Sequence, residues 1–431
     1  MTDPKRAPAT PVERRCEHPD LQRAEKQILG SRSAAVELLE ELVQIRSANP
    51  PGEHYLECAL LLAERLRDLD FEPRLVQVPA HELQRLDLPP EVQRPSILAA
   101  LGADAAEAPT LHFHGHYDVV PGDSDDLFCV RVAGDRAHGR GTADMKGGLV
   151  ALLLALAALR PFQEKLRGRV LLSIVPDEET GGEAGTGYLF RSGALPGRGL
   201  GMLMPEPTGR VAWHGNRGAI SHLLTLHGEM AHVSLQHQGH NAFEGLLELG
   251  AMLRELKAEV EARTFGAGDL DIEGPPSVML LGGVCRGGTN FNVVPETASF
   301  SLDRRFHPLE PEKDVERELE AVYRRFRRTG WALTVQCLQR GSASLTPSRT
   351  PLAETLATVV RSVTGEPLEF KLCPGILESR FFLAHDTPAL AYGPGLLEVS
   401  HTKDEHVSLA RILEVACVYA RMAWALLGPE S

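Results

Sequence analysis

Residues 111–148 read LHFHGHYDVVPGDSDDLFCVRVAGDRAHGRGTADMKGG, and this stretch limits the possible folds more than any other. An alternating run ends at His116, with Asp118 two residues further on. A glycine-rich turn then presents Asp144 just ahead of an apolar helix at 149–159. A histidine at a strand end and an aspartate at a strand-to-helix turn are parts of a metal site on an open α/β sheet. Such sheets bind their ligands at the carboxyl ends of the strands.

A chain of 431 residues is too long for one ordinary core, so two domains are expected. Its 43% hydrophobic and 24% charged residues fit a soluble globular protein. The net charge of -13 argues against broad binding of nucleic acid or of an anionic membrane, both of which favour a basic surface. An anionic substrate stays possible, because a site can be locally cationic. The seven cysteines are scattered, odd in number and without a C-x-x-C pair, which fits free thiols in a reducing compartment. The first twenty residues lack the apolar core of a secretory signal. The longest apolar run, LVALLLALAAL, is too short to span a bilayer and reads as a buried helix. A cytoplasmic location is the expectation.

Residues 1–30 are expected to form a flexible extension, being polar and without a clear period. Helical spacing marks 32–45 and 54–68. FEPRLVQVPA, SILAALG and TLHFHGHYDVV read as strands, with HELQRLDLPPEVQRP as a surface insertion. VLLSIVP is continuously apolar, the mark of a strand buried on both faces, and it ends at Asp177, Glu178 and Glu179. GLGMLMPEPTG is a second such strand and ends at Glu206. The expected fold class is α/β, with a mixed, mostly parallel sheet flanked by helices. From Val211 the order becomes β-α-β-β-α-β, which predicts an inserted ferredoxin-like α+β domain over 211–341. The catalytic domain is then 31–210 together with 342–431.

His116, Asp144, the Glu178–Glu179 pair, Glu206 and His401 all fall at strand ends or adjacent turns of the first domain. Taken singly each has a bland reading: a structural histidine, a turn or cap aspartate, a solvated acidic pair. In an open α/β sheet, however, parallel strand ends converge on one edge, so these groups can meet. Nitrogen and carboxylate donors without cysteine suit zinc, cobalt or manganese. Two histidines and three carboxylates exceed one tetrahedral ion, but suffice for two ions about 3.5–4 Å apart sharing a carboxylate and a water. The Asp118 carboxylate can accept the other ring N–H of His116 and fix its tautomer. Of two adjacent glutamates, one can bind metal while the other serves as general base.

These residues resemble the di-zinc amidohydrolase family of aminoacylase, acetylornithine deacetylase, succinyl-diaminopimelate desuccinylase and glutamate carboxypeptidase. The matching stretches are NPPG at 49–52, GHYDVVP at 115–121, GRGTADMKGG at 139–148, PDEETGG at 176–182, PEPT at 205–208 and NVVPE at 292–296, then YGPG and HTKDEHV near the end. The resemblance implies a catalytic domain with an inserted lid that mediates homodimerisation. It implies that His116 and Glu206 bind one metal, that Glu179 and His401 bind the other, and that Asp144 bridges them. Glu178 would be the base and Asp118 would support His116. His232 would reach the active site, often from a partner subunit, and stabilise the oxyanion. Asn292 and Arg380 would hold the substrate carboxylate. Gly393 and Gly395 would form a backbone wall beside it. A departure is GILESRFF at 375–382: Ile376, Leu377 and Glu378 replace small residues and an aspartate, so Glu378 is placed to meet a cationic substrate side chain.

The expected function is metal-dependent hydrolysis of the amide bond of N-acyl amino acids, on two divalent ions, zinc first. A carboxypeptidase or dipeptidase on the same scaffold is the alternative. A non-catalytic binding protein on an enzyme fold is the third reading, against which all five ligands and the base are present.

Overall fold

Two apolar runs, Arg169–Val175 and Gly201–Met204, and the alternating run Thr110–His116 between them build the centre of a mixed sheet. In a computed structural model the chain is described over residues 11–103, 108–265 and 276–429. It divides into one unit of residues 1–214, 346–371 and 378–431, and a second of 215–345 and 372–377.

In the first unit the strands run Arg74–Gln77, Pro95–Gly102, Arg169–Val175, Thr110–His116, Gly201–Met204, Ala389–Ala391, Ala212–Asn216. The four central strands, from Arg169–Val175 to Ala389–Ala391, are parallel to one another. The flanking pairs are antiparallel. Parallel pairing is thus concentrated in the centre, where Arg169–Val175 and Gly201–Met204 are almost wholly apolar and buried, while Thr110–His116 alternates with histidines. Thr110–His116 is buried at every position.

The helix Gly147–Leu159 packs against the closing helix Leu409–Leu427, and both touch the Thr110–His116 strand. All of Gly147–Leu159 except Leu154 and Ala157 is buried, which is why it shows no polar face. Pro161 follows the helix end and cannot continue it. Each buried leucine there contributes about 1.5–3 kcal/mol relative to exposure. By length and composition the 142–165 stretch could cross a membrane, but 89% of its apolar window lies inside the protein.

The expected N-terminal extension is not what the structure shows from residue 11 onward. Pro11–Cys16 and Pro19–Leu29 are helices, and Leu21, Ala24 and Ile28 are buried in the main core. The second helix is initiated by His18, whose ring accepts from Asp20 N, and packs on Leu409–Leu427 and Gly147–Leu159. Three apolar residues at spacings of three and four suffice to dock a helix whose other faces are charged. Residues 1–10 lie outside the described residues.

The second unit holds an antiparallel sheet in the order Val278–Gly287, Thr297–Phe306, Gly218–His227, Ala332–Gly341. With helices Ala242–Glu261 and Glu312–Arg327 this is the connectivity of a ferredoxin-like unit. Val315, Leu319, Tyr323 and Phe326 form the buried stripe of Glu312–Arg327. That helix carries acids in its first turn and arginines in its last, matching its dipole.

Candidate metal centre

Three of the four central strands deliver acidic or imidazole groups at one edge. His116 closes its strand, Glu178 and Glu179 follow Arg169–Val175 in a short turn, and Glu206 lies two residues past Met204. Asp144 comes from the turn ahead of Gly147–Leu159, and His401 from the loop before His406–Ser408. His116 Nε2 lies 3.3 Å from Asp144 Oδ1, 3.8 Å from Glu178 Oε2 and 4.0 Å from Glu206 Oε1. His401 Nε2 lies 3.4 Å from Asp144 Oδ2 and 3.3 Å from Glu179 Oε2. Two triads result, His116–Asp144–Glu206 and Asp144–Glu179–His401, joined through the two oxygens of Asp144.

The groups behind the cluster fix its shape. His116 Nδ1 is 2.9 Å from the Asp118 carbonyl oxygen. A carbonyl only accepts, so Nδ1 carries the proton and Nε2 faces the cluster as a donor of its lone pair. The expectation that the Asp118 carboxylate takes this bond is corrected: its Oδ1 stands 3.5 Å from Nδ1. That carboxylate instead accepts the backbone N–H groups of Glu178 and Glu179, both at 3.2 Å. Asn49, absent from the sequence-based set, donates to Asp118 Oδ2 and to Thr180 Oγ1, each at 2.9 Å. Its place in the NPPG turn was the available signal. Arg94, in the stretch read as a surface insertion, is buried rather than exposed. It pairs with Asp177, donates to the Pro51 carbonyl at 2.9 Å, and lies over the Tyr55 ring. The Glu178–Glu179 turn is therefore held from two sides.

Burial pushes the Glu178 carboxyl well above the usual carboxylate range; His116 opposes this, while Glu206 and Glu179 add to it. Glu206 is raised by burial and by the Asp144 charge. Burial also acts to raise Asp144, but hydrogen bonds to His116 and His401 prevail and hold it below its ordinary value. His401 is pushed up to about 10 by its bonds to Asp144 and Glu179. The cluster thus concentrates more carboxylate charge than its two imidazoles offset. His116 Nε2, one oxygen of Glu179 and one of Glu206 are buried without a hydrogen-bond partner. Buried atoms of this kind are costly unless something else satisfies them. Donors about 2.1 Å from a tetrahedral ion stand about 3.4 Å from one another, close to the shorter separations seen here. The donor set fits two divalent cations.

Residues 112–425 match the model of peptidase family M20/M25/M40. The chain belongs to the M20 family. It is a metal-dependent hydrolase of that class. It is 32% identical over 344 residues to the succinyl-diaminopimelate desuccinylase of Gluconobacter oxydans, covering 77% of this chain and 84% of the relative. Its fold is similar to the M20 metallo-carboxypeptidase Sso-CP2 of Sulfolobus solfataricus, with TM-score 0.72 and 18% identity over 91% of this chain and 99% of the other. The YXEP protein of Bacillus subtilis, a dinuclear metal-binding M20 peptidase, is similar at TM-score 0.63 and 12% identity, over 92% and 99% of the two chains.

The remaining residues expected of an M20 site fall as follows. Arg380 is largely buried, donates to the Gly181 carbonyl and lies over Phe381. Glu378 does not stand ready for a cationic substrate. It is fully buried, with Oε2 2.8 Å from His114 Nε2, whose other nitrogen meets Ser173 Oγ at 2.7 Å. Gly393 and Gly395 back the ligand loops: a Cβ at Gly393 would sit 2.2 Å from the carbonyls of Pro205 and Glu206, and one at Gly395 2.2 Å from that of Ala143. His232 and Asn292 belong to the second unit. His232 pairs with Val293 in a short ribbon, and Val233 N donates to the Asn292 carbonyl at 3.0 Å, so exposed His232 and half-buried Asn292 lie close together in that unit.

Proposed function

We propose that the chain hydrolyses the amide bond of an N-acyl amino acid with a free carboxylate, as the desuccinylase relatives do by name. The observation that carries the reading is the pair of ligand triads sharing Asp144, with Glu178 beside them and outside both. His116 and Glu206 would hold one ion, Glu179 and His401 the other, and Asp144, common to both triads, would serve each. Zinc is the first choice, with cobalt or manganese compatible with nitrogen and oxygen donors. When bound, the ions polarise the amide carbonyl and lower the pKa of water towards about 7. Glu178 accepts the proton from the attacking water and delivers it to the leaving amine. Asp118 keeps Glu178 and Glu179 in register through their amides. Arg380 orients the substrate carboxylate.

The proposed homodimer uses the second unit. Its sheet ends in the edge strand Val278–Gly287, where Leu280 and Val284 are exposed, and the adjacent helix exposes Phe243 and Leu247. An exposed apolar edge of this kind favours a partner. A cytoplasmic location accords with seven cysteines that form no disulfide among the described residues.

The test is a hydrolysis screen on protein stripped by chelator and reloaded with zinc, cobalt or manganese. Substrates are N-succinyl, N-acetyl and N-formyl amino acids and a dipeptide set. Metal-dependent release from acyl amino acids is the expected result. Turnover of dipeptides alone would replace the deacylase reading with a peptidase.

A further inference from the structure

Glu405 and Arg140 take no part in the ligand set, yet they join the two loops that carry Asp144 and His401. Glu405 is buried, and its Oε1 accepts the backbone N–H groups of Ala143 at 3.1 Å and Asp144 at 3.3 Å. Its Oε2 accepts from Arg140 Nη1 at 2.6 Å. Arg140, also buried, sends Nη1 to the Thr402 carbonyl at 3.3 Å and Nη2 to the His401 carbonyl at 3.4 Å. Gly139 N donates to the Glu405 carbonyl at 3.0 Å and closes the ring.

His401 needs such a hold. Its φ of 64° is left-handed, a conformation that a residue bearing a Cβ rarely adopts unless its surroundings impose it. Its side chain is 48% exposed, whereas that of His116 is fully buried in a strand. The two histidines are therefore secured differently, one by the sheet and one by a loop clamp.

We propose that Arg140 and Glu405 are positioning residues that set the affinity of the Asp144–Glu179–His401 subsite for a divalent metal ion, and so decide whether the chain holds one ion or two. The proposal rests on the two-metal reading above. Arg140 acts through its planar fork, which reaches both carbonyls while the carboxylate fixes its plane; a lysine is a single point charge and cannot reproduce this. Glu405 acts by tying the Ala143–Asp144 turn to Arg140, and through Arg140 to the loop that carries His401.

Zinc, and separately manganese, is titrated into chelator-treated full-length protein, with metal per chain counted by mass spectrometry. The chains are wild type, Glu405→Gln, Arg140→Lys, His401→Ala and the double variant His401→Ala with Glu405→Gln. Wild type is expected to hold two ions. Glu405→Gln and Arg140→Lys retain one tight ion and bind the second about 10–100-fold more weakly. His401→Ala loses the second ion, and adding Glu405→Gln to it changes nothing further, because the clamp acts through His401. Circular dichroism of the metal-free chains checks folding; if Glu405→Gln unfolds, Arg140→Lys carries the test. Two ions in the wild type with the second site of Arg140→Lys within about twofold of it would refute the proposal alone. Equal weakening of both sites, or further loss in the double variant, would refute it as well. A wild-type chain holding fewer than two ions would refute the two-metal reading and this proposal with it.

Discussion

Replacing Arg94 by Met removes the guanidinium that pairs with buried Asp177, and the cost should depend on pH in a defined way. Burial pushes the Asp177 carboxyl up to about 7, with Arg94 pulling it down. The folded chain thus binds that proton more tightly than an unfolded carboxyl near 3.8 does. This contribution to stability is fully present below about pH 4 and is lost as pH rises to about 7, beyond which the wild type is level. Without Arg94 the folded pKa climbs further, and the loss continues through pH 8 and 9 at about 1.4 kcal/mol per unit. Near pH 6 the variant carboxyl is neutral. The cost is then limited to the lost contact with Tyr55 and the unpaired Pro51 carbonyl, about 1–2 kcal/mol. By pH 9 it should approach the 3–5 kcal/mol, roughly, of a broken buried pair. Urea unfolding followed by circular dichroism at pH 6, 7.5 and 9, in chelator, measures the difference between the two chains. Chelator removes the linkage to metal, and titrations common to both chains cancel in the difference. An equal destabilisation at pH 6 and pH 9 would refute the reasoning.

Glu178→Gln should lower kcat by about 10²–10⁴-fold while metal content stays at the wild-type level; substantial activity in that variant would remove Glu178 as the base. Asn49→Ala deprives the Asp118 carboxylate and Thr180 of a shared donor. It should cost about 1–3 kcal/mol in unfolding free energy and reduce turnover, and a change under about 0.5 kcal/mol would mean the pair is not stabilising. Gly393→Ala places a methyl group against the carbonyls of Pro205 and Glu206. Metal titration should then show the His116–Asp144–Glu206 subsite weakened before the other; an unaltered isotherm would show that the loop can yield.

His116, Glu178, Glu179 and Glu206 were legible as a group because each follows the end of an apolar or alternating run, and parallel strands must stop along one edge; Asp144 and His401 come from a turn and a loop, and were singled out by the motifs around them. The ferredoxin-like insertion was legible for a similar reason, since its order of strands and helices leaves few topologies. The supporting groups were not. Arg94 lies in a proline-bounded stretch with no period, and nothing local tells a buried arginine from a solvated one until its partner, 83 positions away, is known. Asp118 was read by proximity to His116, but its carboxylate is turned to two amides sixty positions further along the chain. Glu378 was read as facing a cationic substrate side chain because the loop around it departs from the usual pattern; the histidine that holds it comes from a strand 264 positions earlier. The helix Pro19–Leu29 did carry a signal in Leu21, Ala24 and Ile28, outweighed in a composition-based reading by the charged residues between them.

The sheet order has a consequence for the sequence of events during synthesis. Ala389–Ala391 is the neighbour of Gly201–Met204, although the whole inserted unit is made between them. His116, Asp144, Glu178, Glu179 and Glu206 leave the ribosome early, and the insertion can then complete its own antiparallel sheet. The catalytic unit must wait with an unfilled slot beside Gly201–Met204 until the last segment arrives with its strand, His401 and the closing helix. A nascent chain can therefore present the His116–Asp144–Glu206 triad long before it can present the Asp144–Glu179–His401 one, which waits for a loop made after the whole insertion.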